Sequence, residues 1–227
     1  MANENIAHDL CPNPDLAGLR SVTYSKDPFY PRFWQGRMAC QFSTRTPQGI
    51  FVCDMSDLFG IGIPENWTWQ VIQLIKAYPQ HRFYLLTKQP QNLTKFSPFP
   101  DNCFVGVTAT NDEAYMAALK GLEEVQAKVK FLSFEPLLEE VINNSKHHGF
   151  CNLLSYYHIN WVIIGAQTKP YKAPKIEWVR EIVEAADKVG IPVFIKDNLA
   201  PYASNLALYP NMRVGDKGYD VVRQEMP

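Results

Sequence analysis

Six short apolar runs recur along the chain, and each ends in a cluster of polar residues. In order they are Ile50-Phe51-Val52-Cys53 before Asp54-Met55-Ser56-Asp57, Phe83-Tyr84-Leu85-Leu86 before Thr87-Lys88, and Cys103 to Val107 before Thr108-Ala109-Thr110. The others are Val129 to Leu132 before Ser133-Phe134-Glu135-Pro136, Trp161 to Ile164 before Gly165-Ala166-Gln167-Thr168, and Val193-Phe194-Ile195 before Lys196-Asp197-Asn198. Continuous apolar runs bounded by turn residues suit parallel strands buried on both faces. Their starts fall on average about 28 residues apart, the length of a strand plus its crossover helix.

Helical periodicity fills most of the gaps. Pro64-Glu65-Asn66-Trp67 opens one helix, whose stripe is Trp67, Val71, Leu74, Ile75 and Tyr78, and Pro79 ends it. Asn111-Asp112-Glu113 caps a second, with Tyr115, Ala118, Leu119, Leu122 and Val125 facing the core. Pro174 and Glu177 open a third, running through Ile176, Val179, Ile182, Val183 and Ala186 to a stop at Gly190. Weaker patterns predict helices near 89–96 and 137–145. Such alternation leaves an open doubly wound sheet or a (βα) barrel. The chain has neither GxGxxG nor GxxxxGK[ST] after any strand, which removes the usual support for a nucleotide-binding open sheet. The expected fold is therefore α/β, a partial or distorted (βα) barrel of the TIM type with about six parallel strands.

The length of 227 residues fits a single domain: an irregular lead-in over 1–49 packed on the barrel, a core over 50–200, and an irregular tail over 201–227. The 46% hydrophobic and 20% charged content is ordinary for a globular protein, and a net charge of -1 favours no polyanionic partner. The polar stretch Met1 to Leu10 and the lack of a long apolar run predict a cytoplasmic protein. Five scattered cysteines, Cys11, Cys40, Cys53, Cys103 and Cys151, form no CxxC pair, and no metal ligands are assigned. The lead-in mixes Tyr30, Phe33 and Trp34 with Lys26, Arg32, Arg37 and Arg45. Residues 24–45 can thus stack on and neutralise a nucleic acid or engage a protein, although packing of the aromatics on the barrel is the plainer reading.

In a (βα) barrel the carboxyl ends of the strands make the functional face. Glu135, between Phe134 and Pro136, needs a cation or several donors to stay ionised there. Lys196 is its natural counterpart and the other catalytic candidate, able to hold an anion or act as a base, while a structural ion pair plugging the barrel is the alternative. Asp54, Ser56 and Asp57 can bind an amino group or cation, and Asp57 can instead cap Leu58-Phe59. Thr87, Lys88, Thr108, Ser133, Gln167, Thr168, Asp197 and Asn198 complete the candidate binding set. No Ser-His-acid or Cys-His constellation falls at the strand ends.

Five ordered segments carry a family resemblance: Ile50 to Phe59, Leu85 to Pro90, Phe131 to Leu138, Trp161 to Thr168 and Phe194 to Leu199. Over roughly residues 28–200 the chain resembles the phage-associated gene-product thirty-seven/sixty-eight-like proteins, which are radical-SAM-like and largely of unknown function. The resemblance implies a partial (βα) barrel whose rim binds S-adenosylmethionine and a 4Fe–4S cluster. It also implies three cluster cysteines, spaced Cys-x3-Cys-x2-Cys or close to it, upstream of the region matching Asp27 to Pro31, where this chain has only Cys11. The expectation is therefore a truncated or diverged member whose rim binds cofactor or substrate without a normal cluster. A non-catalytic scaffold for a protein or nucleic acid is the alternative, and a Schiff-base lyase using Lys196 is a third.

Overall fold

Sequential parallel pairing of six apolar runs gives a sheet with the order β1-β2-β3-β4-β5-β8, curled into a half-barrel. The computed structural model describes residues 31–33, 35–39, 44–54, 56–141, 149–199 and 223–227. The sheet strands are β1 (Gly49–Val52), β2 (Arg82–Thr87), β3 (Cys103–Thr108), β4 (Val129–Phe134), β5 (Trp161–Ile164) and β8 (Val193–Ile195). A two-stranded hairpin, β6 (Gln167–Thr168) with β7 (Tyr171–Lys172), lies between β5 and β8 in sequence. The helices are α1 (Gln35–Ala39), α2 (Glu65–Ala77), α3 (Asp112–Glu123), α4 (Phe150–Tyr156) and α5 (Ile176–Lys188), with a 3-10 helix over Pro90–Phe96.

The helices form where the periodicity places them. Asn111 accepts a hydrogen bond from the Ala114 N–H at 2.9 Å, closing the start of α3, whose Tyr115, Ala118, Leu119 and Leu122 are buried. In α2 the expected Ile75 is fully buried and Val71 and Tyr78 pack partly buried against the core, while the inward face also takes in Ile72 and Thr68, whose hydroxyl donates to the Leu58 carbonyl at 2.9 Å. Gly190 takes φ +69° after α5, the left-handed stop its position suggests. Residues 137–141 form no helix, and the rest of that expected helix lies outside the described residues. The short helix α4 instead precedes β5.

The sheet's two faces bury different side chains. Phe83, Leu85, Val105, Val107, Leu132, Phe134, Val162, Ile164, Val193 and Ile195 pack with the helices in the main core. The alternate positions Tyr84, Phe104, Phe131, Trp161 and Phe194 form a second, largely aromatic layer on the concave face. Phe131 meets Trp161 at 5.3 Å between ring centroids, and Trp161 meets Phe194 at 6.0 Å. Gly106, beside Phe131 in the parallel register, makes this possible: a Cβ there would lie 2.3 Å from the Phe131 ring.

The far edge of the sheet is covered by the chain's own C-terminal residues, which sequence reading leaves as irregular tail. Arg223 and Glu225 pair antiparallel with β8, through Ile195 N–H to the Arg223 carbonyl at 2.7 Å and Glu225 N–H to the Val193 carbonyl at 3.1 Å. Arg223 also reaches Asp187 of α5 and the Glu225 carboxylate, both at 2.7 Å, while the Trp161 indole donates to the Glu225 carbonyl at 2.8 Å. Burial opposes ionisation of Glu225, but the Arg223 guanidinium and the Val193 N–H together outweigh it and hold the carboxyl below its usual range. Residues 201–222 of the expected tail lie outside the described residues.

Replacing Gly106 with alanine drives a methyl group into the Phe131 ring and should cost about 1–3 kcal/mol, the range for overpacking a core. Urea unfolding measures this, and an unchanged midpoint would show that Phe131 has free room to move. Glu225→Gln should be less stable than the wild-type chain near neutral pH. Because the folded-state carboxyl is held below the ordinary 4.5, its contribution is present above that pH and lost as pH falls through the folded value, so the difference should close in acid. Thermal unfolding across pH checks it; a pH-independent gap would assign the effect to something other than the carboxylate's charge.

Candidate functional site

The backbone ladder continues past the strand ends and so fixes the residues that follow them. Gly165 N–H bonds to the Phe134 carbonyl at 3.0 Å, Leu137 N–H to the Gly165 carbonyl at 3.1 Å, and Lys196 N–H to the Ile164 carbonyl at 2.9 Å. Glu135 is thereby held between β4 and β5, and Lys196 at the end of β8. Their side chains meet: Lys196 Nζ lies 2.6 Å from Glu135 Oε1. Gly165 clears the space, since a Cβ there would stand 2.9 Å from Glu135 Cγ and 3.2 Å from Oε1. The pair is partly open, with 25% of the Glu135 side chain and 43% of the Lys196 side chain exposed.

Below the pair, the register places Thr108 beside Ser133 on adjacent strands, at concave-face positions above the Phe131 and Trp161 rings. Both residues are buried, and Ser133 Oγ has no hydrogen-bond partner among the described residues. A buried hydroxyl without a partner costs about 1–3 kcal/mol unless something supplies one. Lys88, one position past the helix-facing Thr87, falls in parity with Tyr84 and Leu86 on the concave side and is exposed.

Other candidates hold the rim together instead. Asp57 accepts from the Thr87 hydroxyl at 2.9 Å, the Lys88 N–H at 2.8 Å and the Phe59 N–H at 2.9 Å, so it fastens the loop after β1 to the end of β2 and caps Leu58-Phe59 as well. Asn198 brackets Ala166, accepting from its N–H at 3.1 Å and donating to its carbonyl at 2.9 Å. Asp197 accepts from Gln224 at 2.7 Å, tying the C-terminal residues to the rim, and Gln167 donates to the Pro170 carbonyl at 3.0 Å. Asp54, Ser56 and Thr168 are exposed outside this cluster. Cys53 turns the chain after β1 at φ +57°, with its thiol pushed up chiefly by burial.

A cluster finds no ligand set among the described residues. Cys53 follows β1 at the carboxyl rim, Cys103 begins β3 at the opposite end of the sheet with its thiol pushed up to about 12 by burial, and Cys151 lies in α4. Three thiolates cannot converge from those positions, and no group of three His, Cys, Asp or Glu residues is placed to hold a metal among the described residues. Cys11 and Cys40 lie outside them. No described helix is long and apolar enough to cross a membrane.

Of the aromatic and basic residues over 24–45, Phe33 stacks on Trp67 of α2 with centroids 5.4 Å apart, so that ring packs against a barrel helix. Arg32 is half-buried and Arg45 exposed, whereas residues 24–30, Trp34 and the Arg37 side chain lie outside the description. Sequence reading missed two features that shape the rim, the clearance at Gly165 and the clamp made by Arg223 to Glu225. A glycine directly after a strand was the visible signal for the first; the second carried none.

A family model described as "Protein of unknown function (DUF5131)" matches residues 19–215. No curated protein and no solved structure matches the chain.

Asp57→Ala should leave the buried Thr87 hydroxyl and two N–H groups without their acceptor, at a cost of about 2–3 kcal/mol. Chemical denaturation measures it. A loss under about 0.5 kcal/mol, the scale of an ordinary surface substitution, would mean that the carboxylate does not hold the loop.

Proposed function

We propose a ligand-binding function for this chain, which belongs to the family described as protein of unknown function (DUF5131): the carboxyl-end rim of its half-barrel takes S-adenosylmethionine or a close analogue. The observation that carries this reading is the half-open Glu135–Lys196 pair, held in a space that Gly165 leaves free. The ligand's ammonium group would exchange with Lys196 on Glu135, and its carboxylate would take the Lys196 ammonium. Its ring would lie over the buried Phe131 and Trp161 layer, and the rim would have to open for the ribose hydroxyls to reach the buried Ser133 Oγ. The resemblance to radical-SAM-like proteins supports the same ligand class.

The described residues do not fit a cluster, so no radical step is assigned to them. What they offer is binding and orientation. A zwitterionic head between one carboxylate and one ammonium keeps the rim neutral, and a flat ring on an aromatic layer adds apolar burial. The scaffold alternative is less favoured because Phe33, one of the aromatics it would use, is engaged by Trp67.

Isothermal titration with S-adenosylmethionine and S-adenosylhomocysteine tests the reading. Micromolar binding, weakened about tenfold or more in Glu135→Gln and in Lys196→Met, is expected, each factor of ten being about 1.4 kcal/mol. A wild-type chain that binds neither ligand, or variants that bind as well as it does, would falsify the proposal.

A further inference from the structure

A second cavity lies away from the rim. It opens at the amino end of the sheet, with a volume of about 950 Å³, the size of a small-molecule site. Its wall includes Lys76 at the end of α2, Arg82 at the start of β2 and Lys128 before β4, against one carboxylate side chain, Asp101. Tyr84 and Phe104 supply the aromatic part, and Pro227 brings the C-terminal residues to its edge.

Three local arrangements prepare this cavity for an anion carrying a flat ring. First, the Arg82 guanidinium lies over the Phe104 ring, 4.9 Å from its centroid, and donates to the Tyr84 hydroxyl at 3.4 Å. A guanidinium placed over a ring with one N–H on a neighbouring hydroxyl keeps most of its five N–H donors for an oxyanion. Second, Gly49 lets the Tyr84 ring lie across β1, because a Cβ there would come within 3.1 Å of that ring. Third, Asn102 gathers the carbonyls of Ile75, Tyr78 and His81 on its amide nitrogen, at 3.0, 3.1 and 3.1 Å. The carbonyl end of α2, which would repel an anion, is thereby occupied.

We infer that this basal cavity is a second binding site, for a mononucleotide: phosphate on Arg82, Lys76 and Lys128, base against Tyr84. The site is separate from the rim, since Tyr84 and Phe104 stand at the amino end of the shared aromatic layer and the Phe131 and Trp161 rings lie between them and the strand ends. A mononucleotide is preferred to a simple anion because the wall pairs its cations with rings, and simple phosphate has no use for the rings. It is preferred to a nucleic acid strand because the chain's net charge of -1 provides no extended field for a polyanion.

Titration of the full chain with adenosine monophosphate, adenosine and inorganic phosphate, followed by calorimetry and by amide shifts at Gln48 and Asn102, tests the site. The monophosphate should bind at least tenfold more tightly than either fragment. Arg82→Ala and Lys128→Ala should each weaken it about tenfold and lower the salt dependence of what remains, whereas Lys95→Ala, in the exposed pair with Glu65, should leave it unchanged. Tyr84→Leu should reduce the monophosphate's advantage over inorganic phosphate, which separates ring stacking from charge alone. No binding at millimolar monophosphate, equal binding of adenosine, or equal losses in Lys95→Ala would each overturn the assignment.

Discussion

The packing of Phe131 across Gly106 is the contact on which both ends of this molecule depend. A parallel sheet normally buries each face against helices, but here the helices lie on one face and the other must fill itself. Phe131 does this by occupying the volume that a side chain at position 106 would take, and Trp161 and Phe194 extend the layer across the next two strands. The strands can then curl about an aromatic floor. Above it stand Ser133, Thr108 and the Glu135–Lys196 pair, and below it Tyr84 and Phe104 begin the basal cavity.

The fold was legible because burial on both faces writes itself as unbroken apolar runs, and turn residues punctuate them. All six runs became strands of one parallel sheet in chain order, with boundaries within about two residues, the usual uncertainty of strand and helix ends. That same burial hid the site. In a half-exposed strand, alternation tells inward from outward, whereas Cys103 to Thr108 and Val129 to Phe134 are buried at every position. Nothing in such a run says that Ser133 shares the concave face with Thr108, or that Thr87 turns to the helices and meets Asp57. The pairing of strands supplies that parity, and only then do the rim residues divide into those facing the concavity and those fastening loops.

The fastening residues matter to the site even though they do not line it. Asp57, Asn198 and Asp197 each spend their polar groups on a neighbouring segment, so the loops after β1, β5 and β8 are cross-tied. Charged or amide side chains do this well because a carboxylate accepts several donors at once, as Asp57 does with two N–H groups and the Thr87 hydroxyl. A rim built on such ties can present Glu135 and Lys196 in one geometry without burying them, since the ladder beneath continues through Gly165 and Lys196.

The energetics of that ion pair weigh against a purely structural role. An ion pair with a quarter of one side chain and nearly half of the other exposed contributes at most about 1 kcal/mol, because water and salt screen it and two flexible side chains must be ordered. Replacing it with apolar residues would stabilise a plug at least as well. Yet the chain leaves position 165 without a Cβ, accepting the backbone freedom of glycine inside a sheet margin, so that Glu135 fits where it is. A partly solvated carboxylate and ammonium, each able to trade its partner for a ligand group, gain from that arrangement what a structural pair does not: a charge-neutral site in the free state and two strong, oppositely directed contacts in the bound one. The unpartnered Ser133 hydroxyl just below adds a third group whose desolvation a bound ligand could offset.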